Sequence, residues 1–160
     1  KRHGLPPGGP AAEAAARAQF KLAELDLAAF ERLRIAGEID VLKEGMEAKT
    51  RRLRELQDAY LAVLPYRAAH WSVAAAFRVG YLYENFADTI EAVPCPEGLP
   101  ADACDLFRDQ LRALADPVIR KAVQAYRDAA AKAAELDAGP EWAARARQRL
   151  QLLAPRLEKN

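Results

Sequence analysis

The chain has 160 residues, 51% of them hydrophobic and 29% charged, with a net charge of +1 at neutral pH. That length supports one domain with a real core, and the near-zero charge excludes a global field drawing the chain to nucleic acid or to an anionic membrane. Alanine, leucine, arginine and glutamate dominate, which favours helix over sheet, and no apolar run approaches the length of a membrane span.

Residues 1–10 (K-R-H-G-L-P-P-G-G-P) are rich in proline and glycine and read as a linker, with His3 a solvated bystander. The chain starts at Lys1 rather than at a methionine, which reads as a fragment or processed product, so a missing signal peptide carries no information on location. A first helix is expected over about residues 11–35. Phe20, Ala23, Leu27, Phe30 and Arg34 form one stripe and Leu22, Leu25, Ala29 and Leu33 a neighbouring one, together a wide apolar face. A second helix is expected over about 39–64. Its Leu42, Met46, Lys49, Leu53, Leu56, Tyr60 and Val63 alternate steps of four and three in a heptad-like seam, suited to internal packing or to a homo-oligomer interface. Gly37 turns the two into an antiparallel hairpin about 35–40 Å long, and Pro65 should close the second helix.

The stretch from Trp71 to Ala92 is the most apolar and aromatic in the chain, and its apolar residues occupy more than one helical face. It reads as a central helix with the others laid around it. Val93-Pro94-Cys95-Pro96-Glu97-Gly98-Leu99-Pro100 follows as a rigid loop. The next helix starts near Ala101, with Ala103, Leu106, Phe107, Leu111 and Leu114 expected inward; Pro117 either kinks it or starts a new one capped by Asp116. The pattern runs on to about Leu136. A last helix over about 141–153 turns Trp142, Ala146, Leu150 and Leu153 inward and should stop at Pro155. The small–aromatic–small spacing of Ala122, Tyr126 and Ala129 matches the second helix of a tetratricopeptide unit, and Phe77, Val79, Gly80 and Tyr83 loosely match its first. Small residues let helices approach closely and the aromatic fills the remaining gap. The expected fold is all-α: an antiparallel long-helix bundle forming a single domain over 11–160, with a helical hairpin over 11–64 and tetratricopeptide-like helices over 69–155.

The pieces F-K-L-A-E-L (20–25), Y-L-A-V-L (60–64), W-S-V-A-A-A-F-R-V-G-Y-L-Y-E-N-F-A-D (71–88), V-P-C-P-E-G-L (93–99) and A-V-Q-A-Y (122–126), followed by the helix of Trp142, occur in this order. Together they resemble the helical C-terminal portion of tetratricopeptide-repeat proteins from myxobacteria and their relatives, some of which belong to the cell envelope and the gliding-motility machinery. The resemblance covers about 15–155, and Y-E-N-F-A-D with the proline loop after it is its most specific part. It implies a non-enzymatic scaffold in or near the periplasm, with a protein partner, no cofactor and no catalytic residues to carry over. The family pattern has an aliphatic residue where Cys95 stands, so a disulfide there belongs to this chain alone.

Cys95 and Cys104 flank the proline loop closely enough to pair, closing a ring of about ten residues worth roughly 2–3 kcal/mol; the other reading is two unpaired, partly buried thiols. Two cysteines and two histidines, these far apart in sequence, offer no metal set. Tyr83, Glu84, Asn85 and Asp88 place polar groups on an otherwise apolar helix, beside Phe86. Glu84 and Asp88 share a face and could serve acid–base chemistry. The structural reading is that arginines such as Arg78, Arg108 or Arg120 receive the carboxylates while Asn85 bonds backbone at a loop, Arg78 lying too far round its own helix to reach Glu84. His70 reads as a partly exposed neutral residue with no nameable partner. Lys49, Arg51, Arg52 and Arg54 form one basic cluster and Arg145, Arg147 and Arg149 another; interspersed acids make both read as solvated faces, the alternative for the second being contact with an acidic partner, with no nucleic acid expected. The function expected is a protein-interaction or scaffold module of the cell envelope. The alternatives are a cytoplasmic adaptor or regulator binding an acidic protein or RNA and, last, an enzyme using Glu84 and Asp88.

Overall fold

The computed structural model describes residues 6–158; His3 and the first half of the linker assigned to residues 1–10 lie outside them. The described residues form α1 (Pro10–Arg32), α2 (Ile39–Leu61), α3 (Ala69–Glu91), α4 (Ala101–Leu136) and α5 (Pro140–Glu158), with a 3-10 turn at Leu64–Tyr66. α3 packs against each of the other four. Thirteen of its 23 residues are buried, as a helix apolar on several faces requires, whereas α2 buries four. The chain is all-α, a bundle in which each helix returns antiparallel to the one before it. Phe20 meets Tyr60 while Phe30 lies by Lys49, so α1 and α2 run oppositely. α1 and α5 run parallel to α3, as the pairs Glu24–Arg78 and Glu31–Tyr81, then Phe77–Trp142, Glu84–Arg149 and Asp88–Arg156, show. One core cluster runs from Ala16 to Leu153. Among the described residues no helix is long and apolar enough to cross a membrane.

The α2 seam is internal: Lys49, Leu53, Leu56, Tyr60 and Val63 are buried, and Leu42 and Met46 pack against the core. α1 is narrower inside than its sequence implies. Phe20, Ala23, Leu27 and Phe30 are buried, but Leu22 and Leu25 are 59% and 75% exposed because an edge helix has neighbours on one side only. α1 also stops at Arg32, which frees Ile35 to fold back over α2. There a Cβ on Gly45 would stand 3.3 Å from Ile35 Cγ2, so the glycine makes the seat. α2 ends at Leu61, and Pro65 sits in the 3-10 turn rather than at the helix end.

Two prolines do not break their helices. Pro117 lies inside a continuous α4 and Pro155 inside α5, so Asp116 lies within a helix rather than at the start of one. A proline removes one helical bond to the carbonyl four residues back, and here those residues, Ala113 and Gln151, are exposed, so water can serve the freed groups. Inward neighbours hold each helix on course: Ala115 and Ile119 around Pro117, Leu153 and Leu157 around Pro155. On α4, Leu106 and Leu114 point outward, 61% and 55% exposed; the buried line passes through Leu111, Ala115 and Ile119 instead.

α3 and α4 approach closely at Gly80. Gly80 has no side chain, and the Tyr126 ring occupies the space: a Cβ on Gly80 would stand 2.7 Å from Tyr126 Cδ1. Ala122, Tyr126 and Ala129 are all fully buried along this seam. Beyond it, Cys95 and Cys104 are joined in a disulfide with Cα atoms 5.7 Å apart, tying the α3–α4 loop to the first turn of α4.

Two stability outcomes follow from these contacts. Gly80→Ala should lower unfolding free energy by about 1–3 kcal/mol in urea titration, because overpacking the ring outweighs the better helix propensity of alanine. Replacing both cysteines by serine should cost about 2–3 kcal/mol, the entropy the crosslink removes from the unfolded chain.

Candidate interaction groove

Because α3 is enclosed, its polar residues must find partners on neighbouring helices. Glu84 is 3% exposed. Tyr126 of α4 donates its hydroxyl to Glu84 Oε2 at 2.6 Å, and Arg149 of α5 donates Nε to the same oxygen at 3.0 Å and a terminal nitrogen to Oε1. This is a two-pronged guanidinium–carboxylate pair with a phenol added. Burial, then the bond to Glu84, pushes the Tyr126 hydroxyl well above the usual phenol range, and the same carboxylate raises Arg149 further. Asp88, one turn on, accepts from Arg156 at 2.8 Å, and Arg156 also lies 3.1 Å from Glu91.

The arginines on Glu84 and Asp88 therefore come from α5, not from positions 78, 108 or 120. Arg108 pairs with Asp105 on its own helix. Arg78 reaches α1, holding both oxygens of Glu24 at 2.7 Å, and lies over the rings of Tyr81 and Trp142 at 5.4 and 5.6 Å. Tyr60 donates to the same Glu24. Tyr81 donates to Glu31, and burial together with that bond pushes its hydroxyl up to about 12.

Asn85 does not bond loop backbone. Its Oδ1 accepts from Lys49 Nζ at 2.8 Å, and the same ammonium donates to the carbonyls of Phe30 and Leu33 at 3.0 and 3.1 Å. Lys49 is thus no part of a solvated basic face. It is fully buried, uses all three donors, and bonds two carbonyls at the end of α1, that of Leu33 and that of Phe30, which also accepts the Leu33 N–H. Its amine is pulled down to about 8, chiefly by burial and then by nearby Arg34, against a smaller opposing effect of Glu31. Arg149, from the other basic cluster, is likewise committed inward.

The remaining sequence candidates are structural. Phe77 stacks on Tyr126 and Trp142, both at 5.3 Å, and Phe86 is buried. Trp71 packs on Phe20 at 5.3 Å. Tyr83 donates to Gln57 at 2.9 Å. His70 has a partner that the sequence did not name: its Nδ1 is 3.5 Å from Glu141. Among the described residues no group of three histidine, cysteine or acidic side chains could hold a metal ion.

These contacts leave an open cavity of about 330 Å³ between α3 and α5. Phe77, Arg78, Tyr81, Glu84, Asn85 and Asp88 of α3 line one side, and Arg145, Gln148 and Arg149 of α5 the other. Arg145 lies 4.8 Å over the Trp142 ring. Sequence reasoning named the α3 residues and, separately, the cluster of Arg145 and Arg149, but did not bring the two together, and it missed Gln148. A usable signal existed: Glu84 and Glu91 are seven apart, as are Arg149 and Arg156. It becomes legible only once α3 and α5 are known to run parallel.

The molecule is therefore an all-α bundle carrying a charged groove with an aromatic lining along its central helix. The chain matches no family model, no curated protein and no solved structure.

Lys49 makes stability depend on pH in a defined direction. The folded chain holds its proton less tightly than the unfolded chain, whose lysine titrates near 10.5. Between about 8 and 10.5 the unfolded state therefore binds more protons, and stability rises with pH over that window. Denaturant titrations at pH 8 and 10 should show wild type gaining stability relative to Lys49→Met; parallel curves would remove the assignment.

Proposed function

We propose that this domain is a non-enzymatic protein–protein interaction or scaffold module of a cell-envelope complex. The observation that carries the reading is the groove along α3: it is open, aromatic and charged, and its carboxylates are engaged rather than poised for proton transfer. Glu84 is held by Arg149 and Tyr126, and Asp88 by Arg156. Acid–base work at such a pair would require breaking these contacts first. The Cys95–Cys104 disulfide supports an oxidising compartment such as the periplasm. The resemblance in the 71–99 stretch makes the gliding-motility machinery the particular setting to test, within a tetratricopeptide-type architecture.

The second reading, a cytoplasmic adaptor or regulator for an acidic protein or RNA, draws on the exposed arginines Arg51, Arg54 and Arg147. Thiol trapping in native cells separates the two. Under the envelope reading Cys95 and Cys104 resist a maleimide until a reductant is added, and crosslinking of the full-length protein yields envelope or motility proteins. Immediate labelling of both thiols, with cytosolic or nucleic-acid partners in the crosslinks, would favour the adaptor instead.

A further inference from the structure

The charges lining the groove do not cancel locally. Arg78 is taken by Glu24, Arg149 by Glu84, and Asp88 by Arg156. Arg145 is left: among the described residues it pairs with no carboxylate, and it rests over the Trp142 ring, where stacking holds the guanidinium in place without neutralising it. Beside it on α5, the exposed amide of Gln148 makes no hydrogen bond among the described residues. Across the groove, Asn85 has its oxygen committed to Lys49, a group that can only donate. The Asn85 group left for a ligand is therefore the NH₂ donor. Phe77 and Tyr81 add apolar ring surface between these donors.

An uncommitted cation, amide donors and aromatic surface in one cavity suit an anion carried on an apolar chain. We propose that the groove between α3 and α5 binds an acidic segment of a partner protein, with a side-chain carboxylate on Arg145 and a neighbouring apolar side chain against Phe77 and Tyr81. This rests on the interaction reading above and names the chemistry of the partner. A peptide is favoured over a polynucleotide because Asp88 stands in the groove, and Glu24 and Glu31 flank it through Arg78 and Tyr81. Those acids would repel a continuous phosphate backbone while tolerating a single well-placed carboxylate.

The test is fluorescence anisotropy of the full chain with a labelled octapeptide carrying one glutamate beside one leucine among serines, alongside its glutamine counterpart. Binding of the glutamate peptide is expected, about tenfold weaker when glutamine replaces glutamate or in Arg145→Gln. Gln148→Glu, which adds a like charge, should weaken it as well, and raising salt from about 50 to about 300 mM should reduce it. Both substitutions are at exposed positions, and unchanged melting curves confirm folding. Equal binding of the two peptides, wild-type affinity in Arg145→Gln, or tighter binding of an oligouridylate would overturn the proposal. A photo-crosslinker at position 148 in native cells separates this failure from that of the interaction reading. A crosslink to an acidic stretch supports the acidic segment. One to a partner stretch without acidic residues overturns it and leaves the interaction reading standing, and no crosslink to any partner counts against both.

Discussion

Glu84 places a carboxylate inside the bundle, and three helices are arranged to satisfy it. An unpaired charge at that depth would be prohibitive. The phenol of Tyr126 and the guanidinium of Arg149 meet it from α4 and α5, so the relative positions of α3, α4 and α5 are fixed at one point. The same ring of Tyr126 fills the gap that Gly80 opens. A single tyrosine thus couples a tight contact between α3 and α4 to a buried carboxylate, and neither contact survives a shift of α4 along α3.

Lys49 plays the corresponding part on the other side of α3. Its ammonium links the end of α1 to Asn85 and leaves no donor unused. These two buried polar tethers differ in weight from the charges nearer the surface. Asp88 is 55% exposed, so its pair with Arg156 is worth at most about 1 kcal/mol. Removing Arg149 costs more than that, because it strands the buried carboxylate of Glu84, although Arg149 itself is 38% exposed. The groove therefore has a rigid floor on α3, fixed from both sides, and a more loosely held outer end along α5.

Rigidity of that kind suits recognition. Side chains that face the groove are held by neighbours outside it: Arg78 by Glu24, Asn85 by Lys49, Arg145 by the Trp142 ring. A ligand meeting them would pay little to order them, so weak polar contacts can still select a partner. The disulfide adds the same quality to the loop after α3, where three prolines and the crosslink confine a segment that would otherwise be free.

Much of this was legible in the linear chain because it depends on local periodicity. The helical segments, the centrality of Trp71 to Ala92, the α2 stripe and the small–aromatic spacings around Gly80 and Tyr126 follow from residue spacing and side-chain volume; whether Pro117 splits a helix and whether the α2 stripe faces the core or a second copy do not. Element ends were less legible. Pro117 and Pro155 stay helical because the residues whose carbonyls they free are exposed and their neighbours are anchored, which is a property of position in the bundle. Leu22 and Leu25 face outward because nothing packs on that side of α1. Pairings across the bundle were not legible at all. Whether Arg149 or Arg120 answers Glu84, and whether Lys49 is a surface charge or a buried cap, depends on which helices adjoin and in what direction they run. The sequence by itself determined the helices and which of them lies innermost, since hydrophobic period acts within one segment. Only the tertiary structure decided the partners of each charge, and with them the groove, because ion pairs form between segments 54 to 68 residues apart that no local pattern can match.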